Sequence, residues 1–198
     1  MNTQTLVGAL VIATAFLSGT VQASQNKLPG VRGLDHVGFT VPDIVQAVNF
    51  FQDVLGCQKA TSFGPIADPQ GNLMQDLLDV HPRAEIKEIV LMRCGEGSNI
   101  ELFQYSAPDQ KSERPRNSDH AGYHVAFYVT DLKAAVDRAR AQGVKTLLGP
   151  FAINEGPTAG QAITYIFTPW GMQLELISYP KGMAYEKNSK VKLWAPRR

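Results

Sequence analysis

The feature that most constrains this chain is a stretch that occurs twice. Residues 33–43 read G-L-D-H-V-G-F-T-V-P-D, and residues 122–131 read G-Y-H-V-A-F-Y-V-T-D. In the first copy Val37, Phe39 and Val41 alternate with His36, Gly38 and Thr40. Period-two alternation reads as a half-buried strand, with His36 on the face opposite the apolar set. The second copy sets His124, Val125, Phe127, Val129 and Asp131 in the same register. The likeness runs on into the residues that follow, so the chain contains a duplicated unit.

Each strand leads without a spacer into a predicted helix. In the first unit Asp43 is placed to cap it, and Ile44, Ala47, Val48 and Phe51 form one apolar stripe before Gly56 ends it. The second unit repeats this with Asp131, then Leu132, Ala135, Val136 and Ala139, then Gly143. Further strands are predicted over residues 57–62, 86–93 and 99–105 in the first unit, and over 144–148, 161–168 and 172–179 in the second. Residues 149–160 read as a loop. Residues 63–83 form an insertion with a turn signal at 68–72 and a short helix over 73–80, a length typical of lids and binding elements. Residues 106–121 are polar and proline-containing and read as a linker. Each unit is therefore βαβββ, with one helix and one open sheet face. The fold class is α+β, two modules (31–105 and 122–180) forming a curved mixed sheet.

The ends of the chain read differently. Residues 6–17 are an apolar run too short to span a bilayer comfortably, followed by small residues and Val21-Gln22-Ala23. This predicts a signal peptide over 1–23, cleaved after Ala23, and a periplasmic or secreted protein, although no basic residue precedes Lys27. An uncleaved anchor or a buried terminal helix are the competing readings. The folded domain would cover 24–180. Residues 181–198 form a basic tail, with Lys181, Lys187, Lys190, Lys192, Arg197 and Arg198 against Glu186, which reads as solvated. Balanced charge, 19 basic against 18 acidic residues, speaks against nucleic acid or a membrane surface as partner. Cys57 and Cys94 do not have the spacing of a metal motif. They lie at the start of one strand and the end of the next, and could pair in an oxidising compartment or stay as buried thiols.

The last strands of the units also match, N-I-E-L-F-Q-Y at 99–105 and Q-L-E-L-I-S-Y at 173–179. Each sets a carboxylate, Glu101 or Glu175, among aliphatic neighbours with no Lys or Arg in the strand. Such a charge is costly to bury without compensation. His36, Glu101, His124 and Glu175 would converge if the units pack about a pseudo-twofold axis. Two imidazoles and two carboxylates suit a divalent transition metal (Zn, Ni, Co, Mn or Fe) and leave coordination room for a chelating substrate. His81, His120, Asp76 and Arg83 fall in loops, where surface positions compete with a role near a pocket.

The openers H-V-G-F-T-V-P-D-I-V-Q-A-V-N-F-F-Q-D-V-L-G and its second copy, with T-P-W-G-M-Q-L-E-L-I-S-Y, resemble the vicinal oxygen chelate superfamily. That group includes glyoxalase I, methylmalonyl-CoA epimerase, extradiol dioxygenases and the bleomycin- and fosfomycin-resistance proteins. The resemblance implies a metal held by His36, Glu101, His124 and Glu175, with Glu101 and Glu175 as the proton carriers. The full His-Glu-His-Glu set is similar to bacterial glyoxalase I. The epimerase usually has Gln at the place of Glu101, while the dioxygenases use three ligands corresponding to His36, His124 and Glu175. An exported enzyme would not meet the cytosolic thioesters of glutathione or CoA. The resemblance therefore implies a metal-dependent, glyoxalase I-like lyase or isomerase acting on a small α-hydroxycarbonyl or related chelating compound, as a homodimer. An Fe(II) extradiol-type dioxygenase and a non-catalytic small-molecule binding or resistance protein are the alternatives.

Overall fold

Both copies of the repeated stretch become edge strands. A computed structural model describes residues 28–196. Module one runs β1 (His36–Thr40), α1 (Ile44–Asp53), β2 (Gln58–Phe63), β3 (Ile66–Ala67), α2 (Leu73–Leu78), β4 (Glu85–Arg93) and β5 (Asn99–Ser106). Module two runs β6 (Val125–Tyr128), α3 (Leu132–Ala141), β7 (Phe151–Ala152), β8 (Ala162–Phe167) and β9 (Gln173–Ser178). The sheet orders are β1-β5-β4-β2, with β3 added on β4, and β6-β9-β8-β7. In each module the first strand lies parallel to the last, and the other pairings are antiparallel. The α+β class and the two-module organisation follow the sequence expectation. The leader with its cleavage point at Ala23, and Arg197 and Arg198, lie outside the described residues.

The helices start and stop where their caps dictate. Asp43 accepts from the Gln46 N–H at 2.9 Å and Asp131 from the Ala134 N–H at 3.0 Å, each contact contributing about 1 kcal/mol. Gly56 and Gly143 then take φ of 70° and 77°, the left-handed conformation that side chains with a Cβ resist. α1 buries Ile44, Ala47, Phe50 and Phe51, and α3 buries Leu132, Val136 and Ala139.

One core serves both modules. Phe39, Val41, Val90, Met92, Ile100 and Leu102 of the first sheet join Ile166, Leu174 and Leu176 of the second in a single cluster with both helices. Phe51 links the halves, its ring 6.4 Å from Phe127 and 6.3 Å from Trp170. Phe39 on β1, Ile100 and Leu102 on β5, and Leu174 and Leu176 on β9 alternate with His36, Glu101 and Glu175, as the partly buried Val125 and Phe127 of β6 do with the His124 that precedes β6. Side chains alternate faces along a strand. The His/Glu face of each sheet is therefore turned away from the shared core.

Three local features depart from or complete the sequence reading. The strand expected over 144–148 is reduced to a bridge between Thr146 and Ile166, and β7 falls at Phe151–Ala152, inside the expected loop. Gly149-Pro150 divides the ladder, since Pro150 has no N–H to contribute. Gly149 sits at φ 144° where an added Cβ would meet Thr164 Oγ1 at 2.1 Å. Cys57 and Cys94 form a disulfide, just beyond the paired residues Gln58 and Arg93. The start of the basic tail is docked, with Ala184 and Tyr185 N–H groups donating to the carbonyls of Ala159 and Pro157 at 2.9 and 2.8 Å.

The insertion is ordered by its own polar groups. Asp68 accepts from the N–H groups of Gly71 and Leu73 at 2.7 and 3.1 Å, and Arg83 donates to the carbonyls of Asp68 and Gly71. Arg83 is thus committed to the loop that carries it. Met74 of α2 is buried against Ala84, Ile86 and Ile89, with Phe103 and Tyr105 packed alongside. Phe103 and Tyr105 share their sheet face with Glu101, so the insertion covers part of the His36/Glu101 face. Among the described residues, no helix is long and apolar enough to cross a membrane.

Candidate functional site

In module one the parallel register sets Gly38 opposite Glu101, one alternation on from His36. The His36 Nε2 lies 3.1 Å from Glu101 Oε2. Gly38 lies beside this pair, and a Cβ there would make only ordinary contacts, 3.9 Å from Glu101 Oε2 and 3.5 Å from the Phe103 ring. The other imidazole nitrogen, Nδ1, lies 2.8 Å from Asp35 Oδ2. That hydrogen bond, aided by the charges of Glu101 and Asp35 and opposed by desolvation, holds the His36 pKa above its ordinary value. In the neutral tautomer whose Nδ1–H donates to Asp35, the Nε2 lone pair faces a carboxylate oxygen. Two acceptors at this distance attract only when a cation, either a proton or a metal ion, sits between them.

Module two repeats the geometry with different surroundings. Ala126 lies opposite Glu175, so His124 stands in the same relation to Glu175 as His36 to Glu101. His124 Nε2 is 3.0 Å from Glu175 Oε2, and its Nδ1 is 3.4 Å from the Asn117 side-chain nitrogen. The Glu175 side chain is only 9% exposed, against 17% for Glu101. Burial pushes the Glu175 carboxyl up, against the pull of His124. Tyr165 lies directly across from Glu175 on β8, and its ring meets the His124 imidazole edge-on at 5.3 Å. Burial, then the charge of Glu175, pushes the Tyr165 phenol up; burial and Glu101 do the same to Tyr105 in module one.

The structure thus brings the four sequence candidates together as two pairs. Among the described residues no three His, Cys, Asp or Glu side chains gather as a metal cage. The reason is architectural: both pairs sit on sheet faces turned away from the common core. His81 accepts from the Arg83 N–H at 3.0 Å within the insertion, and His120 is exposed in the linker. Further along the Glu101 face, Thr40 and Tyr105 line a cavity of about 590 Å³ that Lys111, Arg114, Tyr123 and Trp170 also wall. A larger cleft of about 870 Å³, bordered by Val37, Val125, Phe127 and Trp194, is lined by none of the four.

Three residues that the sequence reading did not single out support these pairs. Asp35 precedes His36, and strand alternation would send it to the other face; it reaches Nδ1 because the strand begins only at His36. Asn117 lies in the linker. Tyr165 becomes visible only through the pairing of β8 with β9. Asp35, adjacent to a candidate ligand, is the one whose residue type offered a signal.

Residues 35–167 match the family described as Glyoxalase/Bleomycin resistance protein/Dioxygenase superfamily, a span that includes His36, Glu101 and His124. A relative from an Actinomyces species, 2-epi-5-epi-valiolone epimerase, is 45% identical over 170 residues, covering 85% of this chain and 91% of the relative. A glyoxalase family protein from Bacillus cereus has a structure with TM-score 0.60 and 20% identity, covering 78% of this chain and 97% of that one. The trypanothione-dependent glyoxalase I of Leishmania major gives TM-score 0.51 at 18% identity, covering 79% and 92%. At these identities the two structures speak for the fold alone.

Proposed function

This chain belongs to the Glyoxalase/Bleomycin resistance protein/Dioxygenase superfamily, and we propose that it is a metal-dependent epimerase of a small α-hydroxycarbonyl compound. The observation that carries this is the 45% identity, over most of both chains, to an epimerase. The donor spacing fits a metal as it fits a proton shared within each pair. Transition-metal bonds to nitrogen and oxygen of roughly 2.0–2.2 Å at a near-right angle place the two donor atoms about 3 Å apart. The two His–Glu pairs are spaced at 3.1 and 3.0 Å. His36, Glu101, His124 and Glu175 are the residues that would hold the ion. When bound, it would supply positive charge beside the carbonyl oxygen, where negative charge develops as the neighbouring carbon loses its proton.

The chain's own part is the movement of a proton. Epimerisation removes a proton from the carbon next to the carbonyl and returns one to its opposite face. Carboxylates contributed by two different modules can flank a substrate, so that one of Glu101 and Glu175 takes the proton while the other delivers it. The pairing of Glu101 with His36 favours this four-residue reading over a dioxygenase, which would need only His36, His124 and Glu175.

Because each pair faces away from the core, the complete site is built between two copies, module one of one chain meeting module two of the other. This is a homodimer with two shared sites. The Cys57–Cys94 disulfide supports maturation in an oxidising compartment, as the leader-like residues 1–23 predict.

Two inactive variants test the shared site together, His36→Ala/Glu101→Ala and His124→Ala/Glu175→Ala. The assay is NMR-monitored epimerisation of α-hydroxyketones, beginning with 2-epi-5-epi-valiolone, in deuterated water. Mixed dimers restore one intact site each, so co-refolding should return about a quarter of wild-type activity. No recovery would mean that the pairs do not combine across copies. A wild type that binds none of Zn, Ni, Co, Mn or Fe would overturn the metal reading, and ring cleavage of catechols with oxygen uptake would replace the epimerase by the dioxygenase.

A further inference from the structure

We infer that Tyr165 is a positioning residue that holds the His124 imidazole in place for ligation. The inference rests on the metal site proposed above and adds to it a residue outside the four donors. His124 precedes β6 and so lies just outside the strand ladder, whereas His36 is the first residue of β1. The direction of the His124 ring therefore depends on side chains. One contact is with Asn117, at 3.4 Å, near the limit of a hydrogen bond. Glu175 pairs with the His124 Nε2 at 3.0 Å, and against the face of the site stands Tyr165, whose ring is at 88° to the imidazole with centroids 5.3 Å apart. Edge-to-face aromatic contact of this kind prefers one mutual orientation.

The strand order makes the contact possible. β9 lies between β6 and β8, and the Cα of Tyr165 is paired with that of Glu175. The tyrosine reaches across β9 to the imidazole, beside the carboxylate with which that imidazole pairs at 3.0 Å. Module one does without such a ring. The position across from Glu101 is Leu91, and His36 is held by Asp35 at 2.8 Å. Beside its glutamate, one histidine therefore has a second charged hydrogen bond and the other an aromatic edge. The presence of Leu91 in module one also indicates that a leucine fits this place in such a sheet.

The test is metal titration of the full chain with Zn²⁺, together with the ring-proton NMR shifts of His124 in the metal-free protein. Tyr165→Leu should weaken Zn²⁺ binding about threefold to tenfold, the span of an aromatic-pair contribution, and remove the ring-current shift on His124. Tyr165→Phe, which keeps the ring, should bind within about twofold of wild type and retain the shift. If Tyr165→Leu does not fold, Tyr165→Met takes its place. Phe as impaired as Leu would assign the effect to the hydroxyl and overturn the inference, as would a Leu variant with wild-type affinity and an unmoved His124. Should wild type itself bind no metal, the metal reading fails; a His124 shift lost in Leu and kept in Phe would still establish the contact, and a shift unchanged in both would remove it.

Discussion

The two modules use one ligand geometry in two different settings. The His–Glu contacts are 3.1 Å and 3.0 Å, and in both modules the histidine lies two residues before the one paired with the glutamate. Around that shared frame almost everything else differs. Module one has Asp35 on its histidine, Leu91 opposite its glutamate, a disulfide across β2 and β4, and α2 folded over its open face through Met74. Module two has Tyr165, with Asn117 of the linker, in the supporting places and a more deeply buried glutamate. The ladder between a first and a last strand is enough to set the donor separation, so the surroundings are free to differ in polarity and rigidity.

The largest expected effect would break the comparison. Glu101→Ala and Glu175→Ala should each lower metal affinity at least about 100-fold and abolish epimerisation, since each removes a donor and a proton carrier. Elemental analysis and the deuterium assay read this. Metal retained in one variant and lost in the other would make the site the property of a single module. The next effect sharpens it, because only module one has a disulfide. Cys57→Ala/Cys94→Ala should cost about 2–4 kcal/mol of stability, visible as a lower thermal midpoint, with the amides of β2 and β4 exchanging faster than those of β8 and β9. Equal loss of protection in both sheets would show that the modules unfold as one unit.

The smallest effect concerns one proton. Asp35 is the main cause of the raised His36 pKa, so Asp35→Asn should move the His36 NMR titration downward. A histidine whose folded pKa exceeds its unfolded value of about 6.5 stabilises the metal-free protein below that pH, and the contribution is lost as pH rises through the folded pKa. Because the His36 side chain is 42% exposed, the stability gain is small. A titration unchanged in Asp35→Asn would assign the support of His36 to Glu101 instead.

Much of this was legible in the sequence because it rests on local rules. Alternation in 33–43 and 122–131 placed His36 and His124 on the faces opposite the apolar residues. Asp43 and Asp131, with Gly56 and Gly143, bounded two helices, and matched strand motifs singled out Glu101 and Glu175. The misplaced strand at 144–148 shows where such rules end. Its composition suits a strand, but Gly149-Pro150 splits the pairing and moves β7 to 151–152.

The sequence by itself determined the duplicated βαβββ plan and the two His–Glu candidates, because period, caps and turn residues act over a few positions. Only the tertiary structure decided three further matters: the partners of those pairs, the pairing of Cys57 with Cys94, and the direction in which the pairs face. Tyr165 meets His124 through strand register, and Met74 covers module one through a fold of the insertion. The two donor faces turn outward because the apolar faces of both sheets, with Phe51, Phe127 and Trp170 between them, are buried in one common core. Burial of apolar surface does not depend on sequence distance, so no local pattern in the chain announces where it will point the remaining faces.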